Sequence, residues 1–465
     1  MEPRPLSFFA QACRGELRGS FPEQPVLRVC SDSRDARTGD LFIAIPGEHF
    51  DGHDYVPRAL ERGAVACVVS RAQAARFPDA PLLLVEDPRL AFGRMAAHYR
   101  AEFRVPVVAV AGSNGKTTTK DLIASILDGC FETLRSPESF NNDIGVPATL
   151  FGLETRHLAA VVELGTNHPG ELAPLVRITQ PRIGVLTHIG EEHLEFFGSL
   201  AGVIEEEAWI ADLLPPNGLL ALPGDAPWSD TVVKRTRAQV LRIGRSATCD
   251  WRLLESVPDA SGTTFTVSAP DPAWSGEYRV NLLGAHQVSN ALLAIATTAQ
   301  FGLGRREIQR GLAQCQPAKW RMNHWQWDGV DVLEDCYNAN LDSTVAALDT
   351  LHAFPCAGRR VAVIGTLAEL GVHTSRAHTA VGQHAGRLGI DRLIAIGDPA
   401  SLSAEAASDS GTTQGLVVDS LEAAAAHLRS WLRPGDCLLV KGSRSARMER
   451  LSSLLRDASC LQHAA

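Results

Sequence analysis

Short, continuous apolar runs alternate with amphipathic stretches along this chain. The runs fall at 105–111 ("VPVVAVA"), 159–164 ("AAVVEL"), 183–187 ("IGVLT"), 360–364 ("RVAVI"), 393–396 ("LIAI") and 437–440 ("CLLV"), and helix-like segments such as 118–127 and 421–432 lie between them. Strands without polar alternation are buried on both faces, so the pattern predicts parallel sheets covered by helices, an α/β architecture. The stretch 246–280 ("CDWRLLESV", "GTTFTVSAP") is instead rich in Trp, Thr and Ser. It predicts an antiparallel meander inside the middle of the chain. Ligands of parallel sheets sit at the carboxyl ends of the strands. Polar clusters directly follow three of these runs: "GSNGKTTTK", "GTNHPGE" and "HIGEEHLE".

A chain of 465 residues exceeds one ordinary core, and two to four domains are expected. Boundaries are placed at residues 100–104 and 317–318, giving segments 1–102, 103–317 and 318–465. The 44 Lys and Arg against 53 Asp and Glu leave a net charge of −9, which excludes a nucleic-acid binder with a general basic face. Ten scattered cysteines without a CxxC pair read as small core residues of a reducing compartment. No apolar run approaches the ~18 residues of a membrane span. The start "MEPRPLSFFAQACRGEL" does not resemble a signal peptide, so a cytoplasmic protein is expected.

"VVAVAGSNGKTTTK" (107–120) carries the most specific chemistry. A strict phosphate loop reads G-x-x-x-x-G-K-[ST], and Val110 stands at the first glycine position here. The physics survives the shortening. A strand ends, glycines turn the backbone so that its N–H groups point inward, and a helix starts near Thr117 with its positive end toward the site. Lys116 would reach the β- and γ-phosphates and the Thr117 hydroxyl a Mg²⁺ ion. The competing reading is an ordinary Gly/Asn turn. Glu163 closes an apolar strand where a second Mg²⁺ ligand belongs, or is a solvated acid at a strand end. His193 is likewise a candidate ligand, or a packed or surface histidine.

These blocks, taken together with "SDSRDARTGDLFIAIPGEHFDGHDYV" (31–56), "SFNNDIGVPATL" (139–150), "LLGAHQVSNALLA" (282–294), "EDCYNANLDST" (334–344), "VIGTLAELGVHT" (363–374) and "GDCLLVKGSRSARMER" (435–450), resemble the Mur ligase family over nearly the whole chain. This family comprises ATP-dependent amino-acid ligases of peptidoglycan precursor synthesis. The "NNDIGVP" and Tyr-Asn-Ala-Asn blocks point to the branch that joins D-alanyl-D-alanine to a UDP-N-acetylmuramoyl tripeptide. The resemblance implies three domains: a small N-terminal α/β domain for the UDP-sugar, a central parallel-sheet, P-loop ATPase-like domain with the meander, and a C-terminal Rossmann-like domain. It places ATP on Gly112, Ser113, Asn114, Gly115, Lys116, Thr117 and Thr118, with His286 and Asn290 on the adenine side, Asp335 near the ribose and Arg321 near the γ-phosphate. Lys116, Glu163, His193 and Arg321 would be catalytic. Ser33, Arg34, Gly47 and Asp51 would line the uridine pocket. Asn141 and Asn142 would contact the nucleotide-linked peptide, and Tyr337, Asn338 and Asn340 the dipeptide. Two small-molecule substrates, no nucleic acid and a monomer are implied.

The chain departs from the family pattern in places. Where relatives carry a lysine that becomes carbamylated, fourteen positions after the metal histidine, this chain has Glu207 in "VIEEEAWI". A carbamylated lysine is a carboxylate on a long arm; glutamate keeps the chemical type and is three bonds shorter. The expectation is that Thr117, Glu163, His193 and Glu207 hold Mg²⁺. The alternative makes "EEE" a solvated acidic helix face. Thr366 and Glu334 replace family aspartates, Gln287 an asparagine beside the adenine, and Trp320 a small residue. A sibling ligase using another amine, and a nucleotide-binding protein without ligase activity, are the competing functions. A substrate screen and substrate-dependent ADP release separate them.

Overall fold

The computed structural model describes residues 1–21, 23–47 and 49–462. Three sheets organise them. The first runs Glu16–Arg18, Leu82–Val85, Ala66–Ser70, Asp40–Ile43, Arg28–Cys30, parallel except for the antiparallel edge strand Glu16–Arg18.

The second sheet has nine strands. Val107–Ala111 lies between Ile183–Leu186 and Ala159–Glu163, all parallel, and every residue of the three is buried. Double burial is what their unbroken apolar composition requires. Leu219–Pro223 and Gln239–Gly244 extend the parallel part. Trp251–Asp259, Gly262–Ser268 and Gly276–Val280 then form the expected antiparallel meander, continuous with that sheet. Because the chain places Ala159–Glu163 on one side of Val107–Ala111 and then crosses to Ile183–Leu186 on the other, the loop after Val107–Ala111 opens into the crevice where ligands of such sheets bind. Helix Lys116–Asp128 packs against helices His286–Ala299 and Arg305–Gln314. Close approach depends on Gly311, where a Cβ would stand 2.3 Å from the Cα of Ile126.

The third sheet orders Asn323–Trp327, Val330–Asp335, Cys437–Lys441, Arg360–Gly365, Arg392–Ile396 and Gln414–Val418, parallel after an initial hairpin. The hairpin turns on Asp328 and Gly329, both at positive φ (47° and 78°), the Asp-Gly chemistry of a two-residue turn. Architecture and fold class match the reading from the apolar pattern. One apolar core joins the first domain to a face of the central sheet: Phe9, Phe92 and Tyr99 pack around Phe151. Among the described residues no helix is long and apolar enough to cross a membrane.

Candidate active site

A cleft of about 1400 Å³ lies between the domains, lined by the phosphate-type loop, the ends of the central strands and the start of the third domain. Gly112 and Gly115 take φ of +121° and +85°, which sharpens the turn out of Val107–Ala111. Neither position has room for a side chain: a Cβ would meet Thr187 Oγ1 at 2.4 Å and Asn290 Oδ1 at 2.5 Å. Helix Lys116–Asp128 starts at once, and no side chain caps it. Its first N–H groups are therefore free to hold an anion. Ser113 N–H donates to His188 O (2.6 Å), and Thr187 Oγ1 to Asn114 O (2.6 Å), tying the loop to the next strand end. Lys116 Nζ folds over the loop onto the Gly112 and Ser113 carbonyls, 3.9 Å from Glu192.

Carboxylates surround this lysine. Glu163, at the end of its strand, is buried; its Oε1 accepts from Asn141 Nδ2 (2.9 Å) and its Oε2 has no partner. Glu192 is buried, its Oε1 without a hydrogen bond and 3.9 Å from Lys116 Nζ, and Glu207 is wholly buried beside the Gly112 N–H, with neither oxygen in a well-formed hydrogen bond. Burial first, then the Glu192 charge, push the Glu207 carboxyl up to about 8, against the pull of the Lys116 ammonium. Four unpartnered oxygens on three buried carboxylates, facing one lysine, form a donor set that suits a hard divalent cation. Among the described residues no group of three or more His, Cys, Asp or Glu side chains is placed to hold a metal ion by itself. Mg²⁺ commonly keeps several waters and takes phosphate oxygens alongside one or two carboxylates.

The three glutamates of "EEE" have three different environments. Glu205 is exposed and pairs with Arg235 (2.7 Å). Glu206 is buried and accepts from the Gly170 and Leu172 N–H groups (2.8 and 2.7 Å), capping helix Leu172–Thr179. Only Glu207 turns toward the loop. The solvated-face reading is overturned.

The third domain reaches into the loop. Arg321 Nη2 donates to Thr117 Oγ1 (3.0 Å), and its guanidinium lies 4.2 Å over the Tyr337 ring. Asn340 caps helix Leu341–Ala353 in a capping box with Ser343, and its amide exchanges two hydrogen bonds with Asn114 (3.0 and 3.3 Å). Tyr337 Oη meets Ser139 Oγ. Asp335 pairs with Lys441 (2.8 Å), whose Nζ also donates to Asn338 O (2.9 Å). Asn290 Nδ2 donates to Gln287 Oε1 (2.9 Å), so the departure at Gln287 holds Asn290 against the loop.

Of the expected residues, Ser113 to Thr118, Asn141, Asn142, Glu163, His193, His286, Asn290, Arg321, Asp335, Tyr337, Asn338 and Asn340 line this one cleft. Gly112 and Glu207 lie behind it. Ser33, Arg34, Gly47 and Asp51 are elsewhere, on loops after the first-sheet strands Arg28–Cys30 and Asp40–Ile43. Arg34 is exposed and forked onto Asp32 (2.7 Å), while Asp51 accepts from His53 N (3.0 Å) and caps a short 3₁₀ turn. Sequence reasoning missed Glu192 and Lys441, both of which line the cleft. Lys441 carried a signal, a cation closing an apolar strand.

Comparison with known proteins matches three family descriptions in order along the chain: "Mur ligase family, catalytic domain" at 26–100, "Mur ligase middle domain" at 110–298 and "Mur ligase, glutamate ligase domain" at 320–444. The UDP-N-acetylmuramoyl-tripeptide–D-alanyl-D-alanine ligase of Escherichia coli is 36% identical over 460 residues, 97% of this chain and 98% of the relative. This chain belongs to the Mur ligase family. The Bacillus subtilis ligase of the same description is 30% identical over 97% of this chain and 98% of its own. Among solved Mur ligases, MurF from Acinetobacter baumannii superposes with a TM-score of 0.91 at 30% identity, covering 98% of this chain and 99% of that one. MurF from Thermotoga maritima, in complex with ADP, gives 0.82 at 25% identity over 95% and 99%. A Mur ligase is an ATP-dependent enzyme.

Proposed function

We infer that this chain is an ATP-dependent ligase that joins D-alanyl-D-alanine to a UDP-N-acetylmuramoyl tripeptide in peptidoglycan precursor synthesis. The observation that carries this reading is the meeting, in one cleft, of a phosphate loop, buried carboxylates and the Tyr337–Asn340 block of the third domain. A peptide carboxylate is a poor acyl donor. Its oxygen attacks the γ-phosphorus of ATP, ADP leaves, and an acyl phosphate forms; the dipeptide amine then attacks the acyl carbon and phosphate departs. Lys116 and Arg321 flank the position of the γ-phosphoryl group, and their cationic charge lowers the energy of both transition states. Mg²⁺, held by Thr117, Glu163, His193 and Glu207, would supply further neutralisation of the phosphoryl charge.

Asn141 and Asn142 would hold the nucleotide-linked peptide, and Tyr337, Asn338 and Asn340 the incoming dipeptide. Ser33, Arg34, Gly47 and Asp51 stand at strand carboxyl ends of the first sheet, where the uridine would bind. ATP and nucleotide-linked sugars are cytoplasmic metabolites, and the enzyme would work beside them. The test is ADP release with a defined UDP-muramoyl tripeptide and either D-Ala-D-Ala or single amino acids. ADP release that requires the tripeptide and D-Ala-D-Ala together supports the reading. Turnover with a single amino acid in its place would make the enzyme a sibling ligase, and no substrate-dependent release would reduce it to a nucleotide binder.

A further inference from the structure

His193 is held from the other domain. It is the residue before the short helix Leu194–Phe197 and takes φ +48°, a left-handed conformation that a histidine rarely adopts. Facing it across the domain boundary is Glu369, also left-handed at φ +60°. The Glu369 carboxylate accepts a hydrogen bond from His193 Nδ1, and its backbone carbonyl accepts one from the Glu195 N–H (3.1 Å). Gly371, at φ +51°, lets the same loop lie against Glu195, where a Cβ would come within 3.3 Å of its Cα. The rest of the 191–195 segment is gripped as well. Arg376 pairs with Glu191, and Asp342 Oδ2 accepts from the Glu191 N–H (3.0 Å) and lies 3.7 Å from His188. His193 is thus left with Nε2 uncommitted, 3.9 Å from Glu192, on the wall of the cleft.

We propose that Glu369 is a positioning residue for His193: by accepting from Nδ1–H it fixes the ring and presents Nε2 to the cation at the nucleotide, and it does so only while the third domain is docked. A carboxylate on the far nitrogen of a metal-binding histidine sets its tautomer, orients the ring and raises its basicity. Here that partner comes from a different domain than the histidine. The cation site is therefore completed by domain closure, which couples cation affinity to the arrival of the third domain. The proposal rests on His193 being a cation ligand, as inferred above.

Three variants separate the possibilities: Glu369→Ala, Glu369→Gln and His193→Ala. Mn²⁺ binding is measured by electron paramagnetic resonance with a non-hydrolysable ATP analogue present, and the Mg²⁺ concentration for half-maximal ligation by ADP release. Glu369→Ala should weaken Mn²⁺ binding and raise the Mg²⁺ requirement by about 10-fold or more. Glu369→Gln, whose side-chain oxygen still accepts from Nδ1–H, should recover part of that loss. Should Glu369→Ala instead raise the KM for D-Ala-D-Ala with Mn²⁺ affinity unchanged, the residue is a domain latch and the proposal is overturned. If His193→Ala also leaves Mn²⁺ affinity intact, the histidine is not a cation ligand, and it is that underlying assignment which fails.

Discussion

Substituting Glu207 by glutamine should make the ligand-free protein more stable and the enzyme worse. The carboxyl is wholly buried, unpartnered, and pushed up to about 8 from an ordinary 4.5, first by burial and then by Glu192. Between these two values the unfolded chain has released this proton and the folded chain keeps it. The folded state binds more protons, so stability falls as pH rises through the window and levels off above about 8. At 1.36 kcal/mol per pH unit, the cost at pH 7 is about 3 kcal/mol. Glu207→Gln removes that titration, and its unfolding free energy from urea titration, followed by tryptophan fluorescence, should exceed the parent's by a margin that grows from pH 5.5 to 8 by about 3 kcal/mol. Function should move the other way. A cation at the phosphates keeps Glu207 ionised, which at pH 7 costs roughly 1.4 kcal/mol, so Mg²⁺ affinity of the parent should rise about fivefold from pH 7 to 8 and about tenfold by pH 9. The glutamine variant should lose most of its activity, require more Mg²⁺, and lack that pH dependence. Because glutamate needs no carbamylation, the parent should be indifferent to bicarbonate. A Glu207→Gln protein with the parent's stability at every pH and the parent's Mg²⁺ titration would refute both halves of the reasoning.

Lys116→Ala should reduce ligation at least ~100-fold with the fold retained, since it removes a cation from the γ-phosphoryl position; a folded variant with most of its turnover would show that the loop serves another ligand. His378 is buried in the third domain, where its Nε2 accepts from the Leu367 N–H (3.2 Å), and desolvation lowers it from 6.5 to about 4. The unfolded chain takes up this proton first, so the residue should cost stability as pH falls from 6.5 to 4, by up to about 3 kcal/mol. His378→Gln should flatten that part of the urea-midpoint profile, and an unchanged slope would show that His378 is not its source.

The strand ends were legible because double burial leaves an unmistakable mark. Where "VVAVA", "AAVVE" and "IGVL" stop, the polar clusters that follow are expected at the crevice from the pattern, while the roles of Lys116 and Thr117 come from the phosphate-loop spelling and that of His193 from the family resemblance. Gln239–Gly244 was not read, because its burial alternates only partially and its apolar content is low. Glu205, Glu206 and Glu207 show the limit. Successive helix residues point about 100° apart, so three identical side chains must face three directions, yet the sequence does not say which of them faces inward. Glu192 was hidden for a similar reason, as one acid in the polar run "GEEH". Glu369 was beyond reach altogether, since its role exists only in the contact of two domains 176 positions apart in the chain.

That contact explains why a cleft between domains suits this chemistry. An acyl phosphate exposed to water would hydrolyse, so the groups that make it must come together only when water is kept out. Here Arg321 already donates to Thr117, and Asn340 to Asn114, across the same boundary that carries Glu369 to His193. The residues that close the third domain onto the loop are thus the residues that would engage the phosphates and the dipeptide. A nucleotide entering the loop must exchange with Arg321 at the Thr117 hydroxyl, and the displaced guanidinium, stacked on Tyr337, is left beside the group it would neutralise. The same residues hold the third domain against the loop and line the charged site, so a substitution at the boundary should disturb catalysis before it disturbs folding.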